Sequence, residues 1–258
     1  MTGLLTSAVP APAAARDALT ALAGAERGAD AVDLLERYAA MLAGAGVQRG
    51  LLGPREAPRL WERHLCNSAA LIELLTPGQV VVDLGSGAGL PGVVLAALRP
   101  DVTVVLVEPL LRRSDFLHEV VQELGLRTTV VRRARAEELA GVLLADVVTA
   151  RAVAPLDRLA GWALPLLHPG GRLLALKGER ADAELAAAGS ALTAAGAASS
   201  EILDIGADVT AARVVAVTAG RQSAGSRSTG SRSTGTRPAA SGAGRAARGR
   251  PAPAGTTR

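Results

Sequence analysis

Near the middle of the chain, the stretch VVVDLGSGAGLPG, residues 80 to 92, sets Asp83, Gly85, Gly87 and Gly89 directly behind an apolar run. An acid and a glycine loop at the end of a strand seat a nucleotide-like ligand, because glycine leaves bare backbone where the ligand lies on it. Residues Gly87 to Gly92 also match GxGxxG, the dinucleotide fingerprint, whose amides and helix start hold a pyrophosphate. Charge separates the two ligands. Asp83 repels a diphosphate but suits S-adenosylmethionine, whose ammonium and sulfonium are cationic. Glu108 ends the next apolar run, VTVVLVE, at a strand tip where a carboxylate accepts hydrogen bonds from ribose hydroxyls. NAD sites use that acid as well, so Glu108 supports an adenosine ligand without choosing between them. A glycine turn that packs a helix on a sheet and binds nothing is the third reading.

The elements that must position these residues follow from periodicity. Strands are predicted over Gln79 to Leu84, Val102 to Glu108, Thr128 to Arg132, Asp146 to Ala150 and Arg172 to Leu176. Helices fall over Gly92 to Leu98, Leu111 to Leu124, Ala136 to Leu139, Leu156 to Leu167 and Asp182 to Ala195. Two last runs, Glu201 to Ile205 and Arg213 to Thr218, are joined too closely for a helical crossover and form an antiparallel hairpin. The expectation is an α/β fold: a Rossmann-like, mostly parallel sheet ending in an antiparallel hairpin, the arrangement of class I S-adenosylmethionine-dependent methyltransferases. Ahead of it, Val32, Leu35, Tyr38, Ala39 and Leu42 mark one helical face and Leu65, Ala69 and Ile72 another. The expected organisation is a loosely structured start over 1–30, a helical segment over 31–78, the methyltransferase domain over 79–220 and a tail over 221–258.

Charge divides unevenly along the 258 residues. Residues 221 to 258 hold eight arginines and no acid, so the remainder keeps 20 bases against 24 acids, a net of −4 against +4 for the whole chain. The tail, GSRSTGSRSTGTRPA followed by GAGRAARGR, lacks core formers and is expected to be disordered. Such an arm suits sequence-independent phosphate contact with RNA, with a purely solubilising extension as the alternative. A single lysine, Lys177, among 27 arginines reflects a composition that discounts arginine counts in general. The lone Cys66 excludes an internal disulfide and a multi-cysteine metal site, in keeping with a reducing cytosol, and no metal site is expected. No run reaches membrane-spanning length, so a cytoplasmic protein is expected, acting as a monomer without a membrane partner.

Taken in order, LWERHLCNS (60–68), DLGSGAGLPG, VEPLLRRSDFL, RARAEEL, TARAVAPL and LLALKG resemble the bacterial small-subunit ribosomal RNA guanine methyltransferases of the glucose-inhibited division protein B type. The similarity runs from about Val32 to Thr218 and excludes both ends of the chain. It implies methyl transfer from S-adenosylmethionine to N7 of one guanine in 16S rRNA, with the small ribosomal subunit as partner. It also implies cofactor contacts at Gly85 and Leu90, at Ala136 and Glu137 beyond the third strand, and at Arg151 after the fourth. Ala88 stands where the family often has proline, which loosens the turn without changing the ligand.

N7 of guanine carries an in-plane lone pair and no proton, so in-line attack on the methyl group needs no general base. Arg151 and Lys177, at the carboxyl ends of strands four and five, are the candidates to act at the reacting guanine or a flanking phosphate; pairing with Glu137 or Glu179 is the alternative. Arg63 and His64, with Asn67 and Ser68 one turn on, are expected on one helix surface facing the cleft, in a substrate or cofactor-lid role; a helix that merely caps the sheet is the alternative. Trp61 is the aromatic candidate to stack on an extruded base, whereas Phe116 and Trp162 read as core. His118 and His168 have no assigned role. Two other classes stay open: a nicotinamide dehydrogenase using the literal GxGxxG, which would bind NADH rather than S-adenosylhomocysteine, and a non-catalytic RNA-binding or assembly factor, which would bind RNA without methylating it.

Overall fold

The computed structural model describes residues 9–53 and 55–220. The reading of the arginine-rich tail as a disordered arm concerns residues outside these, as does that of the first eight residues.

Seven strands form one sheet in the order β3-β2-β1-β4-β5-β7-β6. In chain order they are β1 (Val80–Leu84), β2 (Thr103–Val107), β3 (Thr129–Arg132), β4 (Ala145–Arg151), β5 (Leu167–Lys177), β6 (Ala197–Ile205) and β7 (Ala212–Ala219). The first five pair in parallel, and β7 runs antiparallel to both β5 and β6, so the expected terminal hairpin is present. The strand order reverses between β1 and β4, which opens a crevice at the carboxyl ends of these two strands.

Strand periodicity decides which side chains reach that crevice. Val81, Val104, Leu106, Val147 and Val214 bury on one face, while Val82, Val105, Val107, Val148 and Val215 bury on the other. The first face carries α2 (Gly28–Met41), α4 (Gly92–Leu98) and α5 (Leu111–Leu124), and the second carries α7 (Leu156–Ala163) and α8 (Ala181–Ala194). Every residue of α4, GVVLAAL, is buried, because α1 (Ala13–Ala23), α2 and α3 (Asn67–Ala69) lie over it. A helix apolar on all sides needs such a cover. α5 stops at Gly125, whose left-handed φ of 64° lets Leu126 N–H return to Val121 O.

Two expectations for the N-terminal region are corrected. Residues 1–30 are not loose throughout, since Ala13–Ala23 is a helix. Its alanines favour the helix, Leu19 is fully buried, and Arg16 pairs with Glu36 of α2. The helix whose face Leu65, Ala69 and Ile72 mark is not regular but changes pitch twice: π-helical over Leu60–Cys66, α-helical in α3, and 3₁₀ over Ala70–Leu74. The short helix α6 (Ala136–Leu139) matches its expected bounds and is closed by a capping box in which Glu138 accepts from Arg135 N–H at 3.0 Å.

Candidate active site

Two clefts open side by side at the carboxyl edge of the sheet. The first, about 580 Å³, is walled by Leu84, Val107, Ala136 and Val153 and edged by Glu108, Glu137 and Arg113. Gly85 forms part of its floor at φ 69°, where a Cβ would come within 2.9 Å of Val153 Cγ2. Only glycine meets both demands at this position.

Glu108 is the polar centre of this cleft. Its Oε2 accepts from Gly87 N–H and its Oε1 from Leu110 N–H, both at 3.0 Å, so the carboxylate is held between the glycine loop and the start of α5. Each oxygen keeps a lone pair for a ligand hydroxyl. The rest of the loop turns its amides inward. Gly85 and Ser86 donate to Val107 O, Gly89 and Leu90 donate to Ser86 O, and Gly92 donates to Asp83 Oδ2 at 3.0 Å. With those amides committed and a carboxylate on Gly87, the loop does not present the donor nest that a diphosphate requires.

Asp83 was expected to face the ligand, and this is corrected. It follows Val81 by two residues, so alternation sends its side chain to the α4 face, fully buried beneath Gly92. Burial pushes the carboxyl up to about 7, and Oδ1 has no hydrogen-bond partner among the described residues. Asp83 therefore anchors the first turn of α4 from below. Gly89 and Leu90 also lie away from the first cleft. A Cβ on Gly89 would meet Val93 at 2.6 Å and the Tyr38 hydroxyl at 2.8 Å, and Leu90 packs in the core with Val93. Gly87 enters the site through its amide alone.

The second cleft, about 1040 Å³, gathers Arg63, His64, Asn67, Arg151, Lys177 and Thr210, with Glu56 and Glu184 at its walls. It shares Ala152 and Val153 with the first, and Ala152 sits at a left-handed φ of 54° on the partition. Arg151 donates to Arg63 O at 3.1 Å and to His64 Nδ1 at 2.6 Å. Burial, and then the neighbouring Arg151 charge, hold the His64 imidazolium below its ordinary range. Lys177 Nζ is 2.6 Å from Glu184 Oε2 and 3.2 Å from Ala154 O. Its partner is thus neither Glu137 nor Glu179. The acid on α8 was hidden because nothing local in the sequence ties it to Lys177.

Of the residues expected at the substrate, Trp61 lies elsewhere. Its ring packs in the helical core at 7% exposure, on the inward side of the π-helical turn with Leu65, and does not line the second cleft. Asn67 faces that cleft, whereas Ser68 is buried and donates to His64 O at 2.6 Å. Phe116 is core as expected. Trp162 is only half-buried, lines the first cleft and carries Arg158 at 5.1 Å from its ring centroid. Its place on an apolar helix face concealed an edge left open at the helix end.

Residues 31–211 match the family model described as rRNA small subunit methyltransferase G. Among curated proteins, the chain is 57% identical over 188 residues to the ribosomal RNA small subunit methyltransferase G of Nocardioides sp., covering 73% of this chain and 75% of that protein. It is 55% identical over 214 residues to the protein of that name from Streptomyces coelicolor, covering 82% and 86%. The counterpart from Mycolicibacterium smegmatis is 53% identical over 196 residues, covering 75% and 83%.

Proposed function

Because the chain belongs to the rRNA small subunit methyltransferase G family, we propose that it methylates N7 of a guanine in 16S rRNA of the small ribosomal subunit, with S-adenosylmethionine as donor. One observation carries this reading. A carboxylate-centred cleft suited to an adenosine and a cation-lined cleft suited to RNA meet at a shared wall, Ala152–Val153.

The residues of the first cleft fit the cofactor. Glu108 has acceptor capacity left for ribose hydroxyls, Ala136 and Glu137 would meet the adenine edge, Leu84 and Val107 would offer it apolar walls, and Gly85 keeps the floor clear. When bound, S-adenosylmethionine supplies an electrophilic methyl group. The chain's own residues then orient the acceptor: Arg151 and Lys177, across the partition, hold the guanine carbonyl oxygen or a flanking phosphate, and Arg63 at the exposed rim holds the backbone beyond. The N7 lone pair needs no proton removed, so the work of these groups is alignment and charge.

No helix among the described residues is long and apolar enough to cross a membrane. We place the enzyme in the cytoplasm, as a monomer, where small subunits are made. The test has two parts. Titration should give tight S-adenosylhomocysteine binding and none of NADH. Mass mapping of 16S rRNA methylated by the purified protein should find one 7-methylguanine; NADH binding, or RNA binding with no methyl transfer, would overturn the proposal.

A further inference from the structure

Glu56 precedes the segment that carries Arg63 and His64, and nothing in the sequence marks it. In space it completes a chain of three side chains that ends in the second cleft. Glu56 Oε2 lies 2.9 Å from His64 Nε2, and His64 Nδ1 lies 2.6 Å from Arg151 Nη2. The proton positions follow from one fixed point. A guanidinium can only donate, so Nδ1 must accept. The imidazole is then neutral with its hydrogen on Nε2, which donates to the Glu56 carboxylate. A flipped tautomer or an imidazolium would set an N–H against the N–H of Arg151 and break the chain.

We propose that Glu56 is a positioning residue: by fixing the tautomer and ring plane of His64, it fixes the direction in which Arg151 presents its remaining N–H groups to the guanine. This rests on the functional reading above. Carboxylate, imidazole and guanidinium stand in line, and the second Arg151 bond, to Arg63 O at 3.1 Å, closes the fork from the same helix. Arg151 ends β4, and the partition residues Ala152 and Val153 follow it directly. A guanidinium left free to swing at this point would lose its aim without leaving the cleft. Glu56 also stands 3.5 Å from Arg63 Nη1, so its effect must be separated from any it has through Arg63.

The experiment uses the full chain and the variants Glu56→Ala, Glu56→Gln and Arg63→Ala. Only three histidines are present, and His118 and His168 are exposed, so the buried imidazole is readily assigned by ¹⁵N spectroscopy. The wild type should show His64 as the neutral Nε2–H tautomer at neutral pH. Glu56→Ala should disturb that signature and lower kcat for rRNA methylation by about tenfold, with S-adenosylhomocysteine affinity within about twofold of wild type. Glu56→Gln, whose amide oxygen still accepts from Nε2–H, should restore the signature and most of kcat. Arg63→Ala should weaken RNA binding without moving the imidazole signals. The proposal fails if wild-type His64 carries its hydrogen on Nδ1. It also fails if Glu56→Ala leaves kcat intact, if Glu56→Gln is as impaired as Glu56→Ala, or if Arg63→Ala reproduces the Glu56→Ala signature. A wild type with the expected tautomer that transfers no methyl group overturns the functional reading instead.

Discussion

The two clefts are built on different principles. The first is a backbone site, with a glycine at φ 69°, amides folded inward, and one carboxylate clamped by two peptide N–H groups. The second is a side-chain site, in which Glu56, His64 and Arg151 hold one another, as do Lys177 and Glu184, across five elements or loops. A backbone site is fixed once the strand and turn have formed. A side-chain site exists only after distant pieces have docked, and each member depends on its neighbour's protonation and rotamer. The difference teaches that cofactor binding and substrate alignment should be separable by mutation.

The sharpest test of this separation is Gly85→Val. It sets a branched side chain at a left-handed φ and against Val153, and S-adenosylhomocysteine affinity should fall at least about 100-fold by calorimetry. Retained affinity would mean that the first cleft is not the cofactor site. Lys177→Met should do the converse, lowering methyl transfer by about 30-fold while the same calorimetric affinity stays within about twofold. Parallel losses in both assays would merge the two clefts into one.

Asp83→Asn is expected to act on stability rather than on either ligand. The folded carboxyl holds its proton to about pH 7, against 3.8 as the reference, so the wild type loses stability as pH rises from about 4 to 7 and then levels off. An asparagine still accepts from Gly92 N–H and does not ionise. Its Tm should match the wild type near pH 4 and exceed it at pH 8, by up to about 4 kcal/mol equivalent for a pKa gap of this size. A parallel pH dependence in both proteins would show that Asp83 is ionised in the fold at all these values. The smallest effect is expected from removing residues 221–258. RNA binding should weaken by a few fold at low salt with a flatter salt slope, and turnover at saturating RNA should not change.

The mostly parallel sheet and its terminal hairpin were legible because β-branched runs between glycine-marked turns leave few alternatives, and Gly92–Leu98 and Leu111–Leu124 match to the residue. Gly85 and Glu108 could be placed at this edge for the same reason, since each directly follows a strand, whereas Ala136 and Glu137, at the start of α6, were placed there only by the resemblance to the family. Asp83 misled because charge was read without the alternation that buries it. Trp61 misled because it was read from its sequence neighbours Arg63 and His64, whereas i,i+4 spacing sets it on the face of Leu65, which is buried. Glu56 and Glu184 were invisible for a deeper reason. Glu56 lies only eight residues before His64 and Glu184 seven after Lys177, but a turn separates each pair, and no helical or strand period says which way such a turn aims them.

Tyr38 of α2 reaches across the first face of the sheet and donates its hydroxyl hydrogen to Ala88 O at 2.8 Å, directly beside Gly89. The helices ahead of residue 79 are consequently a buttress under the ligand loop and not an appendage to it. A protein trimmed to begin at β1, or a chimera joined there to a foreign leader, would keep every recognisable motif and still lose the prop that holds the loop in shape.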